Sequence, residues 1–289
     1  MVARLVCLGL LLALSASADS TTRFAEIEAR LGGKIGVAAF DAESGQRLEF
    51  RPNERFLMCS TFKLLAAAAV LQRVDQEREQ LDRFIPFTAA DLLEYAPVTK
   101  QHVSEGGMKL GDLCAAAMEQ SDNTAANLLL RILGGPSGVT NFARSLDDQV
   151  TRLDRTEPEL NVSAPNDERD TTTPSAMCEN LRRLLATDRL SVNSRNQLEA
   201  WLAANQTGAG MIRAAVPKEW KVGDKTGRSR DGSTNDVAVL WPPKRKPIFI
   251  AIYSKGAKVT DPERLAAVVD TARIVLSSFY PKETIGRKN

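Results

Sequence analysis

Residues Leu64 to Leu71 (LLAAAAVL) constrain this chain more than any other stretch. They are rich in Ala and Leu and free of Gly and Pro, so they read as a helix. The helix is apolar on nearly every side, and a helix of that kind belongs inside a core. Whatever precedes it is carried to a helix N-terminus, which holds roughly half a positive charge. What precedes it is Cys59-Ser60-Thr61-Phe62-Lys63. Ser is favoured at a helix start, so the simplest role for Ser60 is a cap. Lys63 offers another. It follows one turn later and on the same face. A buried lysine in a cation-rich pocket has its pKa lowered and can then take the proton of a serine hydroxyl, which is otherwise a poor nucleophile. On this spacing alone the cap is the simpler reading, because two such common residues meet often.

The chain begins Met1-Val2-Ala3-Arg4, continues almost wholly apolar from Leu5 to Leu14, and then reads Ala16-Ser17-Ala18. That is the layout of a secretory signal peptide over 1–18, with the mature protein starting near Asp19. The apolar run is too short for a membrane anchor, which takes ~20 residues. Cys7 lies inside the run and not at its end, which argues against a lipid-modified N-terminus. A periplasmic or secreted protein with no membrane anchor after cleavage is expected. Lys+Arg 38 against Asp+Glu 36 leaves no basic stripe, so nucleic acid is not an expected partner. The local basic stretch Pro243-Lys244-Arg245-Lys246-Pro247 reads as a solvated hairpin turn. Loss of Cys7 leaves Cys59, Cys114 and Cys178, an odd number with no C-x-x-C pair. His102 is the one histidine. A zinc site or a serine–histidine triad lacks its raw material, so no metal and no cofactor are expected.

Taken in order, Thr22 to Leu31 reads as a helix ended by Gly32-Gly33. Lys34 to Asp41 and Arg47 to Phe50 then make a hairpin. From Thr61 to Leu202 the pattern is helical, broken at Pro97, Gly106-Gly107 and Gly134-Gly135-Pro136. Glu157 to Asp170 (EPELNVSAPNDERD) carries turn chemistry and few apolar residues, so it reads as a surface loop. Three strands follow: Lys221 to Gly227, Asn235 to Trp241 and Ile248 to Ser254. Asp261-Pro262 then reads as an N-cap with Pro opening a helix to about Phe279. Helix and hairpin at one end, three strands and a helix at the other, predict an α/β (α+β) fold with one five-stranded antiparallel sheet built from both termini. The expected division is a discontinuous α/β domain, 19–54 and 208–289, with an inserted all-α domain, 55–207. The active site would lie in the cleft between them.

Two more triplets carry polar side chains to defined places. Ser121-Asp122-Asn123 precedes the helical run Thr124 to Leu130, and Lys225-Thr226-Gly227 lies on the first late strand. Singly, the first is an ordinary N-cap and the second an ordinary strand edge. Together with S-x-x-K each occurs once, in this order, with a carboxylate loop between the second and third. In this the chain resembles the class A serine β-lactamases. Glu94-Tyr95-Ala96-Pro97-Val98-Thr99, SDNTAANLLL over Ser121 to Leu130, and the blocks at Glu157 to Asn161 and Pro165 to Asp170 extend the resemblance over essentially the whole mature chain. Thr234-Asn235-Asp236 resembles the branch active on bulky oxyimino-cephalosporins.

The resemblance implies a monomer that hydrolyses penicillins and cephalosporins through an acyl-enzyme and so confers antibiotic resistance. It casts Ser60 as nucleophile, with oxyanion donors in the backbone N–H groups of Ser60 and Arg228. Either Lys63 or Glu157 acting through a water would take the serine proton. Ser121 would pass a proton to the leaving nitrogen, and Asn123 would bind the substrate's amide side chain. Lys225 and Thr226, next to Gly227, would hold the substrate carboxylate, and Tyr95 would wall the cleft. Glu157 and Asn161 would aim the water that frees the enzyme. Arg155 and Asp170 would close the loop by an ion pair. For the second cation at the carboxylate, the arginine of many relatives is replaced by Thr234, which leaves Arg228 on the KTG strand or Arg264 in the final helix.

The nearest alternative is a penicillin-binding transpeptidase or carboxypeptidase, which shares the three triplets; a different class altogether is a binding module, a covalent receptor domain that senses β-lactams. Both would lack a working deacylating base, which the Glu157–Asn161 pair supplies here. The chain also departs from its family. Members that pair a cysteine before the nucleophile have the partner where Ser229 stands, so the resemblance does not extend to the carbapenem-hydrolysing subset tied to that disulfide. Members that pair a cysteine matching Cys114 have the partner where Ala67 stands. Cys59 and Cys114 are therefore expected as free thiols, buried as small apolar side chains. Thiol titration of the denatured, unreduced mature protein should find Cys59, Cys114 and Cys178 all reactive; fewer than two would contradict this.

Overall fold

A computed structural model describes residues 19–162 and 164–280. The leader expected over 1–18 lies outside the described residues. Helix α1 covers 19–31. Strands β1 (Lys34–Asp41) and β2 (Arg47–Phe50) form the expected hairpin. After β3 (Phe56–Leu57) the turn Cys59–Thr61, which carries the expected nucleophile Ser60 (the nucleophile turn), leads into α2 (Phe62–Asp75). The helical half then runs through β4 (Phe84–Pro86), β5 (Gly107–Lys109), α3 (Leu110–Glu119), α4 (Asn123–Leu133), α5 (Pro136–Ser145), β6 (Thr171–Thr172), α6 (Pro174–Ala186) and α7 (Val192–Ala203). The short α8 (Ile212–Ala215) precedes β7 (Lys221–Arg228), β8 (Thr234–Trp241) and β9 (Ile248–Lys255), and α9 (Asp261–Phe279) closes the fold.

The five-stranded sheet has the order β2-β1-β9-β8-β7, antiparallel throughout. The strand period of two sorts its side chains into two cores. From β9, Ile248, Ile250 and Ile252 join a cluster with Phe24, Ile27 and Leu31 of α1 and Val268, Ala272 and Val275 of α9. The residues between them, Phe249, Ala251 and Tyr253, join the larger cluster built by the helical half. The sheet thus lies between the terminal helices and the helical half. Every residue of α2 from Phe62 to Leu71 is buried, as its all-round apolar sequence requires. A single large-to-small change such as Leu65→Ala there would cost about 2–5 kcal/mol. We propose that the two parts divide near residues 54 and 208, where the chain crosses between them. Among the described residues no helix is long and apolar enough to cross a membrane.

Three local features differ from the sequence expectation. The helical half contains two small antiparallel ribbons, β3 with β6 and β4 with β5, too short to show a period in sequence. Helix α9 is capped by Thr260 and not by Asp261. Glu263 reaches back to the Thr260 N–H (2.9 Å) and hydroxyl (2.7 Å), the reciprocal arrangement that T-x-x-E favours. Asp261 is the first helical residue and pairs with Arg264.

The loop expected over Glu157 to Asp170 is present, but it is not wholly solvated. Glu157 is 2% exposed, and Leu160 is sealed into the helical core. At the far end the buried Asp170 accepts from the N–H groups of Asp154 (2.7 Å) and Arg155 (2.9 Å) and pairs with the Arg155 guanidinium (2.5 Å). Arg155 also donates to the Val162 carbonyl (2.8 Å), so one side chain ties both limbs of the loop. Removing it leaves a buried carboxylate short of its cation, at about 3 kcal/mol or somewhat less given the two N–H donors that remain. Because that loss is local, Arg155→Ala should speed proteolytic cutting within 157–170 while lowering the melting temperature by only a few degrees. A sharp fall in melting temperature without faster cutting there would contradict it.

Candidate active site

The nucleophile turn and α2 bring Ser60 and Lys63 together. Thr61, not Ser60, occupies the cap position of α2, and its hydroxyl is taken by the Met58 carbonyl (2.8 Å) and Tyr253 (2.9 Å). The Ser60 hydroxyl is therefore free of the capping role and instead receives a hydrogen bond from Lys63 Nζ at 2.9 Å. Lys63 also donates to the Ser121 carbonyl (2.8 Å) and Asn123 Oδ1 (2.7 Å), and its ammonium pairs with Glu157 Oε1 at 3.1 Å. Burial lowers the Lys63 pKa, and the Glu157 charge opposes that shift.

Helix α4 is fixed from its first turn. Asp122 caps it by accepting from the Ala125 N–H (2.8 Å). The same carboxylate accepts from the N–H groups of Val98 (3.0 Å) and Thr99 (2.9 Å). The Asn123 N–H bonds the Tyr95 carbonyl (3.0 Å), so the loop carrying the half-exposed Tyr95 is pinned to the start of α4. Ser121, two residues before the first helical residue, has φ 58°, and Cys59 before Ser60 has φ 46°. Both are positions where a side chain is strained; Cys59 adjoins Ser60, and Ser121 itself meets Lys63.

From the sheet, β7 brings Lys225, Thr226, Gly227 and Arg228. A Cβ on Gly227 would lie 2.7 Å from the Met58 carbonyl and 3.0 Å from the Ser60 nitrogen. Only glycine allows the strand backbone to press this closely on the nucleophile turn. Lys225 is wholly buried and donates to Ser121 Oγ (3.1 Å). Burial, and then the Lys63 charge, lower its pKa to about 7. Behind it, Asp224 is held by Arg213 and by Asn205 (2.6 Å), and Asp236 accepts from the Ile212 N–H (3.0 Å). Burial raises the pKa of both carboxyls, that of Asp236 well above its ordinary value.

The loop supplies Glu157 and Asn161. Glu157 Oε1 is 3.4 Å from the Ser60 hydroxyl, and Asn161 Nδ2 donates to Glu157 Oε2 at 2.5 Å. Asn161 Oδ1 is buried and has no protein partner among the described residues. The cleft encloses about 280 Å³, with Ser60, Tyr95, Ser121, Asn123 and Asn161 on the helical side and Thr226, Gly227 and Arg228 on the sheet side. Lys63, Lys225 and Glu157 lie beneath these and touch them. All eleven residues singled out in sequence thus converge. Two others were not foreseen. Asn127 grips the loop backbone, accepting from the Glu157 N–H and donating to its carbonyl, both at 2.9 Å. Its place four residues after Asn123, on the same helix face, was the available signal. Thr207, whose hydroxyl meets that of Thr226 at 2.5 Å, sits in a loop with no pattern to mark it. Thr234 is buried opposite Arg228 on β8 and is not among the residues lining the cleft, and Arg264 bonds the Val259 carbonyl (2.8 Å) and Asp261.

A polar cleft built this way combines a serine, a buried amine, a buried carboxylate and strand-edge N–H groups, the equipment for acyl transfer to serine. Among the described residues no cluster of ligands suits a metal ion. The family model described as the beta-lactamase enzyme family matches residues 19–279. The AST-1 β-lactamase of Nocardia asteroides is 48% identical over 264 residues, covering 91% of this chain and 84% of its own. The CTX-M-8 β-lactamase of Citrobacter amalonaticus is 43% identical over 261 residues, covering 90% of this chain and 89% of its own. Of solved structures, the class A β-lactamase of the last common ancestor of Gram-negative bacteria (GNCA4) matches with TM-score 0.89 and 54% identity, over 90% of this chain and 99% of that one. Fold, cleft and relatives agree, and the chain belongs to the class A β-lactamases.

Proposed function

We propose that this chain hydrolyses the β-lactam ring of penicillins and cephalosporins through an acyl-enzyme on Ser60, and so confers resistance to them. The observation that carries this reading is the contact of Lys63 Nζ with both Ser60 Oγ (2.9 Å) and Glu157 Oε1 (3.1 Å). Ser60 Oγ attacks the ring carbonyl, and its proton passes to Lys63 or, through a water, to Glu157. The oxyanion is held by the backbone N–H groups of Ser60 and Arg228. As the C–N bond breaks, the nitrogen takes a proton from Ser121, whose hydroxyl lies within reach of both Lys63 (3.4 Å) and Lys225 (3.1 Å). Asn123 binds the amide side chain, Tyr95 walls the cleft, and Lys225 and Thr226 hold the ring carboxylate.

In the second half Glu157 takes a proton from a water, which attacks the ester, and Ser60 leaves with its proton restored. The unpartnered Oδ1 of Asn161, next to Glu157 Oε2, supports a water held between the two. This pair separates the reading from its rivals, a transpeptidase and a covalent receptor, which acylate without rapid release. Activity on bulky oxyimino-cephalosporins is proposed on the resemblance at Thr234-Asn235-Asp236 alone. These residues are buried, and Asn235 donates to the Leu57 carbonyl at 2.8 Å, at the end of β3 just before the nucleophile turn. The leader pattern supports export to the periplasm or medium, where the mature chain acts as a monomer.

Nitrocefin mixed with the purified protein should give many turnovers; one equivalent of colour and then silence would favour a rival. Glu157→Ala should cripple deacylation by about 10²–10⁴-fold and spare acylation in part. Mass spectrometry after mixing with a penicillin should then show a lasting adduct on Ser60, whereas rapid return of free enzyme would assign the base elsewhere.

A further inference from the structure

We propose that the Arg228 side chain is a permanently charged anchor for the substrate's ring carboxylate, acting beside Lys225 and Thr226. This rests on the acyl-enzyme reading above. Arg228 ends β7 with its side chain exposed and lines the cleft on the sheet side. It is two residues past Thr226 and therefore shares its face of the strand. Among the described residues its guanidinium makes no hydrogen bond or ion pair, unlike the other cations nearby. Lys63 is committed to Ser60, Ser121, Asn123 and Glu157. Arg230 meets Glu94 across the mouth at 3.4 Å. Arg264 is held by Val259 and Asp261.

Lys225 cannot do the whole task over a wide pH range. It faces Lys63 from α2, Asp224 on its own strand, Asp236 from β8 and Glu157 from the loop, and burial outweighs the acids. Its pKa is lowered to about 7, so the free enzyme loses this charge as pH rises through neutrality. A guanidinium does not titrate in that range. Arg228 therefore keeps a cation in the cleft where Lys225 has lost its own.

The test is Arg228→Gln, which leaves the backbone N–H in place and removes a side chain with no partners to lose. KM for benzylpenicillin should rise about tenfold at low salt, with a smaller change in kcat, and the gap should narrow at high salt. Above pH 7 the KM of the variant should climb steeply, while that of the wild type climbs little. Acylation of Ser60 by the methyl ester of the same penicillin should be nearly the same in both, because no carboxylate is present. Arg264→Ala should leave KM where it is. An unchanged KM in Arg228→Gln, an equal loss on acid and ester, or a raised KM in Arg264→Ala would overturn the anchor while multiple turnovers by the wild type still upheld the hydrolase. Absence of turnover by the wild type would overturn both.

Discussion

An ammonium held out of water costs several kcal/mol unless other groups replace its hydration, and Lys63 is wholly buried. Its surroundings answer that cost group by group. Ser60, the Ser121 carbonyl and Asn123 accept its hydrogen bonds, and Glu157 supplies the opposite charge. These four come from the nucleophile turn, the start of α4 and the loop, so satisfying one amine requires three separate segments to meet. Burial lowers the pKa of Lys63, and burial first and the Lys63 charge second lower that of Lys225. One desolvated charge thereby sets the geometry of the cleft and adds to the shift of its neighbour.

The apolar helix makes this arrangement possible. Because α2 is buried from Phe62 to Leu71, its N-terminus opens into the interior at the seam between helices and sheet. On the sheet side Gly227 lets β7 approach the nucleophile turn so closely that a Cβ would collide with the Met58 carbonyl. The same approach brings the Lys225 ammonium to Ser121 Oγ, across the cleft. The strain at Cys59 and Ser121, both at positive φ, gathers at this seam too. The two apolar clusters on either face of the sheet are what hold it there.

Much of this was legible in the sequence, for identifiable reasons. The antiparallel sheet built from both termini followed from the strand patterns there, though not its strand order, and α2 from an apolar run that no surface helix could carry. The three triplets pointed to the candidate site because each lies near an end of an element, S-x-x-K and SDN at helix starts and KTG at the end of β7. What escaped was short or tertiary. The two-residue strands Phe56–Leu57 and Thr171–Thr172 have no period to read. The burial of Glu157 could not be inferred from a loop full of Pro, Asn and Asp, because it depends on Leu160 finding the core and on Asn127 gripping the loop from another helix. The Thr260–Glu263 cap was readable as T-x-x-E, but Asp261-Pro262 offered a competing signal one residue on.

The way Glu157 is held bears on what it can do. Its position does not depend on its own charge. Asn127 clamps its backbone at both N–H and carbonyl, Leu160 anchors the next turn, and Asp170 with Arg155 closes the far end. A carboxylate kept in place only by an ion pair with Lys63 would drift whenever either partner gained or lost a proton. The two carboxylate oxygens are also divided, Oε1 toward Ser60 and Lys63 and Oε2 toward Asn161. That division rests on a loop backbone seated by Asn127 and Leu160, so each carboxylate oxygen meets a different part of the cleft from one fixed position.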